Sequence, residues 1–251
     1  MADPRLMTVL EHMGEIKRRM IRVAIVFLVF TITAIVFYEQ LFEWIKAPTN
    51  DALSMADGEI IFTKVTEAWA SVAKIGVVVG FSLSVPVFLW ELMMFLRPGL
   101  TPGERRYMYL LVPVGTISFG IGAWFGFAVL LPPAIKFLLT FGSELATPLI
   151  TIGNYVSLMI SLMFWMGLIF ELPIIMFFMT KIGVIHSKGL AKQRRWAILI
   201  AFVLGALVTP TFDPITQSMV AGPIIVLFEV GLQLSKLAER GPKKNIKSLK
   251  R

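Results

Sequence analysis

His12-Met13-Gly14-Glu15-Ile16-Lys17-Arg18-Arg19-Met20-Ile21-Arg22 is a charged segment lying directly against a run that carries no charge between Arg22 and Glu39. Cations beside an apolar span hold that end of it in the cytoplasm, which accounts for Lys17, Arg18, Arg19 and Arg22. A helix needs about 20 mostly apolar residues to cross a bilayer, and the span reads from Ile21 to about Phe42. The acids in the same segment have no such explanation. Glu11 and Glu15 sit four apart and share a helix face. A carboxylate at the level of the lipid headgroups is either neutralised within its own helix or offered to a cationic partner. The segment by itself favours internal pairing.

Composition extends the membrane reading to the whole chain. Of 251 residues, 57% are hydrophobic and 16% charged, against roughly 45–50% apolar residues in soluble domains. Five further apolar runs follow, at about 69–96, 107–131, 154–180, 196–208 and 215–234. The fold class is therefore all-α: a polytopic membrane protein with a single six-helix transmembrane domain over 1–234 and a basic cytoplasmic tail over 235–251. Pro86 is expected to kink the second span, and Pro132-Pro133 to end the third. Gly122 and Gly126 have the spacing that lets helices approach closely, here inside the bundle. The fifth and sixth helices read as short. The fifth run, Trp196–Val208, reaches only about 20 Å at 1.5 Å per residue, against about 30 Å of hydrocarbon. The segment from Glu43 to Thr66 reads as an external loop whose Trp44, Ile45 and Phe62 lie at the interface.

The net charge of +8 could point to nucleic acid, but the cations cluster beside apolar spans, where they act as orientation signals. Five precede the first span, three lie in 97–106, five in 181–195 and seven in the tail, against Lys46, Lys64 and Lys136 on the other side. The expected topology has six spans with both termini in the cytoplasm. The chain has no cysteine and only two histidines, His12 and His186. Disulfides and Cys- or His-rich metal sites are thereby excluded, and no cofactor is expected.

Taken in order, several segments resemble the TatC family, the multispanning receptor component of the twin-arginine protein translocase. The family opens with His-Leu-x-Glu-Leu-Arg-x-Arg, where this chain has His12-Met13-Gly14-Glu15-Ile16-Lys17-Arg18-Arg19. Ala47-Pro48 follows the first span. Val85-Pro86-Val87 leads to Phe95-Leu96-Arg97-Pro98-Gly99-Leu100 and then Glu104-Arg105-Arg106. Phe170-Glu171-Leu172-Pro173 matches Phe-Glu-x-Pro, and Thr209-Pro210 through Asp213 and Gln217 matches Thr-Pro-Pro-Asp…Gln. Departures are Lys17 for arginine, Glu91 for a frequent glutamine, and a turn lengthened by Thr211-Phe212.

The resemblance implies a cytoplasmic-face site for the paired arginines of signal peptides on folded cargo proteins. Glu15 and Glu104 match its acidic positions, with Phe95 in contact. It further implies TatA/TatB-like single-span partners meeting Thr209 and Gln217, a multimeric receptor complex in the inner membrane, and export driven by the proton-motive force. Carboxylates suit the ligand because guanidinium presents a rigid fork of donors.

Read without the resemblance, Glu104 beside Arg105 and Arg106 is an ordinary solvated loop charge. Glu171 lies about ten residues inside a span, where an acid is costly by about 2.5–3.5 kcal/mol and is a functional candidate by default. Its bland alternative is a protonated or hydrogen-bonded structural acid, bonding for example backbone freed by Pro173. Glu229 and Asp213, nearer helix ends, read as interface residues. An intramembrane hydrolase would need a nucleophile with a base in reach, and neither histidine lies within a span. A proton-coupled small-solute carrier is the other alternative, resting on Glu171 and Lys74.

Overall fold

The computed structural model describes residues 9–46, 60–141, 150–209 and 214–239; the side chains of residues 9–12, Lys46, Ile60, Pro102 and Glu104 lie outside it. Helix α1 (Val9–Val36) carries the charged segment and the first apolar run in one rod of 28 residues. The chain turns at Phe37 and re-enters a short amphipathic helix, α2 (Tyr38–Lys46). The first span therefore stops six residues before the expected Phe42. Leu41, Phe42 and Ile45 of α2 instead pack on the core, and Tyr155 donates to the Ile45 carbonyl at 2.6 Å. Ile45 is thus a core residue, whereas Trp44 and Phe62 are exposed as expected for interface aromatics.

Helix α3 (Val65–Leu96) runs through Pro86 without interruption. It crosses α1 closely at Gly76 and Gly80. A Cβ at Gly80 would lie 2.7 Å from the Thr31 amide nitrogen. A 3-10 turn at Arg97–Gly99, with Pro98 at its start, redirects the chain into α4 (Pro102–Phe125).

Pro132-Pro133 do not end the next span. A π turn at Gly126–Leu130 leads directly into α5 (Leu131–Thr140), which places both prolines in the first turn of that helix. The Leu131 amide donates to the Gly126 carbonyl five residues back, so the π turn shifts the bonding register just where the two prolines, which have no amide hydrogen, follow. Gly122 and Gly126 pack as the spacing predicts. Cβ atoms there would sit 2.5 Å from the carbonyl oxygens of Met166 and Leu162 on α6 (Ile152–Phe170).

Helix α6 breaks at Glu171, and α7 (Leu172–Lys181) continues with Pro173 in its first turn. After α8 (Ser187–Lys192) come α9 (Arg194–Val208) and α10 (Pro214–Glu239). Helix α9 is short, with 15 residues. Helix α10, expected to be short too, has 26 residues and runs on to Glu239, into the segment read as tail. Packing extends it: Gly231 abuts Met176 and Pro173 of α7, Ser235 is fully buried, and Glu239 accepts from the Ser187 amide at 2.8 Å.

Among the described residues, five helical segments are long and apolar enough to cross a membrane: Met13–Val36, Val65–Gly99, Arg105–Thr140, Ile152–Lys181 and Pro214–Glu239. Helix α9 falls short of that length. At the end opposite the Arg22 end of α1, here the far end, two-residue strands β1 (Ile60–Ile61) and β2 (Ile150–Thr151) pair in parallel. Glu67 caps the same region, accepting from the amides of Thr63 and Gly153 at 2.9 and 2.8 Å. One turn or two deeper, Lys74 donates to Ser157 at 2.9 Å, so it ties α3 to α6 as well as reaching toward the end.

Candidate functional site

At the end of α1 where its cations gather, helical spacing puts Glu15 one turn before Arg19, and Arg22 on the following turn. Arg19 pairs with Glu15, its Nε donating to Oε1 at 3.0 Å. Internal pairing of Glu15, the reading its own segment favours, is what the structure displays. The same guanidinium reaches across to α3, where Nη1 meets Glu91 Oε2 at 2.7 Å. Arg22 meets the other Glu91 oxygen, also at 2.7 Å. Glu91 is 8% exposed at its side chain and Arg22 57%. A carboxylate buried to this degree is sustained by its two cations, since an unpaired buried charge is strongly destabilising.

Beside this network opens an apolar cavity of ≈ 200 Å³, walled by Ile16, Met20, Val23, Phe88, Leu92 and Phe95 together with Arg19 and Glu91. Of the expected binding residues, Phe95 lines this cavity, and Glu15 is linked to it through Arg19, a wall residue with which it pairs. The third, Glu104, lies in the first turn of α4, just after the turn that ends α3, and its side chain is outside the described set. The sequence reading missed the pairing of Arg19 and Arg22 with Glu91. Its one available signal was an acid and two cations at the same end of two spans.

A second cavity of ≈ 390 Å³ adjoins the first along α3, and both are lined by Phe88 and Leu92. Glu171 forms part of its wall, among Phe81, Val85, Phe119 and Phe178. Its carboxylate rests against Gly115, where a Cβ would be 3.0 Å from Oε2. Among the described residues Oε1 finds no hydrogen-bond partner, although it is buried. The break in α6 is served by another residue: Ser118 donates to the Phe170 carbonyl at 2.7 Å. Glu171 makes no side-chain cap on the amides of α7, while the Phe119 backbone amide donates to its carboxyl group.

Thr209 and Gln217 lie along the seam of α9 and α10. Thr209 is buried and donates to the Gly205 carbonyl at 2.9 Å, while Gln217 donates to the Phe202 carbonyl at 2.8 Å. Both side chains bond backbone carbonyls of α9, the 15-residue helix. Glu229 is 41% exposed at its side chain and pairs with Arg194 at 2.7 Å, consistent with an interface position. Asp213 lies outside the described residues.

The family model described as "Sec-independent protein translocase protein (TatC)" matches residues 11–223. The Sec-independent protein translocase protein TatC of Aquifex aeolicus is 36% identical over 239 residues, covering 94% of this chain and 98% of that one. Its counterpart in Carboxydothermus hydrogenoformans is 34% identical over 234 residues, covering 93% and 95%. A solved structure described as "Crystal Structure of Twin Arginine Translocase Receptor- TatC" superposes with a TM-score of 0.82 at 35% identity, covering 91% of this chain and 100% of that one. Fold and relatives define a class: multi-pass helical membrane components of a protein translocase, which transport and do not catalyse. Within that class, the chain belongs to the TatC family.

Proposed function

We propose that this chain is the receptor subunit of a twin-arginine translocase, binding paired-arginine signal peptides of folded proteins at the cytoplasmic face. Glu15 and Glu104 receive the two arginines, and Phe95 meets the adjoining apolar residues. The observation that carries the reading is Glu15: a carboxylate at the edge of an apolar bundle, already engaged by a guanidinium, next to a cavity walled by Phe95. With TatA/TatB-like single-span partners, the subunit supports export driven by the proton-motive force, within a multimeric complex of the inner membrane. The partners meet the α9/α10 seam near Thr209 and Gln217. Neither nucleic acid nor a cofactor takes part.

Charge-assisted hydrogen bonds contribute roughly 1.5–3 kcal/mol each, so loss of one carboxylate should weaken binding about tenfold or more. The measurement is titration of the detergent-purified protein with a labelled peptide carrying two adjacent arginines and an apolar run. Glu15→Ala and Glu104→Ala should each weaken binding, and the double change should be less than additive because the sites share one ligand. Unchanged affinity in both single variants, each correctly inserted, removes the reading.

The proposed topology has six spans with both termini in the cytoplasm, α9 being the fifth. Because the chain has no cysteine, single cysteines report on a clean background. Positions Asn50 and Ser143 should label from outside with an impermeant thiol reagent. Labelling of Ser187 or Ser248 in intact cells would reverse the orientation.

A further inference from the structure

Glu15 is only half used. Its Oε1 accepts from both Nε and Nη2 of Arg19, while Oε2 is buried and, among the described residues, has no hydrogen-bond partner. Two donors crowd one oxygen, so the parallel two-bond geometry that makes guanidinium–carboxylate pairs strong is not formed. Arg19 is at the same time committed to Glu91 through Nη1 at 2.7 Å, and Glu91 shares itself with Arg22. The four groups are electrically balanced, two carboxylates against two guanidinium groups.

We propose that Arg19 is a resident occupant of the arginine site and that Glu91 is the residue that takes Arg19 over when a ligand arginine engages Glu15. The proposal rests on Glu15 being an arginine receptor. A ligand guanidinium addresses both Glu15 oxygens in parallel, a better geometry than Arg19 achieves. Arg19 retracts onto Glu91, with which it already has one bond. Arg22, the most exposed member of the network, is released toward solvent or headgroups, so the buried part gains no net charge. A lysine ligand offers a compact point charge in place of the fork and displaces Arg19 less well. Glu91 therefore acts as a determinant of both affinity and arginine-over-lysine choice, without itself holding the ligand.

The test uses the full chain in detergent, with a labelled peptide carrying two adjacent arginines and an apolar run, and its two-lysine counterpart. Glu91→Gln removes the retreat and leaves Arg19 on Glu15, so two-arginine affinity should fall about tenfold, the equivalent of losing one charged pair. Arg19→Gln combined with Glu91→Gln empties Glu15 of its occupant and should restore affinity to the parent value or better. A merely structural Glu91 predicts the opposite for the double variant, which would then bind as weakly as Glu91→Gln alone. That result overturns the proposal, as does unchanged affinity in Glu91→Gln. If Glu91→Gln fails to insert, Arg19→Gln alone decides: affinity should rise severalfold and the preference over the two-lysine peptide should narrow, whereas unchanged or lower affinity overturns it. Glu15→Ala separates the two levels. Should it bind as the parent does, the receptor reading itself fails; should it weaken binding while Glu91→Gln does not, only the exchange fails.

Discussion

Gly80→Ala is expected to lower the thermal midpoint of the purified protein sharply, and to reduce the amount that inserts. The added methyl would meet Thr31 of α1, at 2.7 Å from its amide nitrogen and 2.8 Å from its Cα. These are backbone atoms of a continuous helix, so no rotamer change relieves the contact. Either α1 moves away from α3 or the pair distorts. Overpacking of this kind costs about 1–3 kcal/mol and more where the backbone cannot yield. Gly120→Ala supplies the control, since a Cβ there meets nothing within 4 Å. Alanine there should be neutral or stabilising by up to about 1 kcal/mol, the ordinary helix preference over glycine. Fluorescence-detected size exclusion after heating reads both. Equal midpoints for Gly80→Ala and the parent would mean that the spacing of α1 and α3 is set elsewhere. The displacement would also carry Arg19 away from Glu91, so peptide binding should fall with stability.

Glu171→Leu should abolish transport while leaving the protein inserted. The side chain borders a cavity of ≈ 390 Å³ whose other walls are chiefly apolar, and among the described residues one of its oxygens is buried without a partner. An acid at that depth costs about 2.5–3.5 kcal/mol on insertion scales, so leucine should stabilise the bundle. What leucine removes is, among the described residues, the one polar side chain lining the cavity, able to draw water into it. Glutamine keeps that polarity, so Glu171→Gln should retain most transport if a hydrated wall is the role. If a proton must come and go, glutamine should fail as badly as leucine, with two-arginine peptide binding unaffected in both. The hydrated wall is the version we favour, because no second acid or histidine lies near in sequence to form a relay. Vesicle transport assays on the three proteins distinguish these outcomes, and full transport by Glu171→Leu would leave the residue without a transport role.

Long apolar runs were legible because hydrocarbon imposes length and composition directly on the chain. So was the close packing at Gly122 and Gly126, since small residues four apart have few other uses on a span. Errors arose where a tertiary contact outweighed local pattern. Pro132-Pro133 read as a stop, yet the π turn at Gly126–Leu130 absorbs the change in hydrogen bonding ahead of them. Helix α2 is nine residues long, too short to be stable by itself; it is held through Ile45 by Tyr155, far along the chain. The end of α10 carries Lys236 and Glu239, which read as tail, but Ser235 and Ala238 are buried. For the site, Glu15 with Arg19 was readable because both lie on one helix. Glu91 was not, since its partner Arg19 is 72 residues away and periodicity says nothing about which spans become neighbours.

The far end of the bundle sets an order for biogenesis. Tyr155 holds Ile45 across 110 residues, Gly153 holds Glu67 across 86, and Ser157 holds Lys74 across 83. At about 5–20 residues per second, a ribosome takes roughly 5–20 s to cover the longest of these gaps. Throughout that interval α1 and α3 can already lie together through Gly76 and Gly80, while the hydrogen bond that holds the end of α2 has no donor yet. Arrival of α6 then closes β1 on β2, Glu67 on Gly153 and Tyr155 on Ile45 in one step. The nascent chain accordingly lacks these far-end ties until its fourth long apolar segment enters, and the cap at that end is a late event of synthesis.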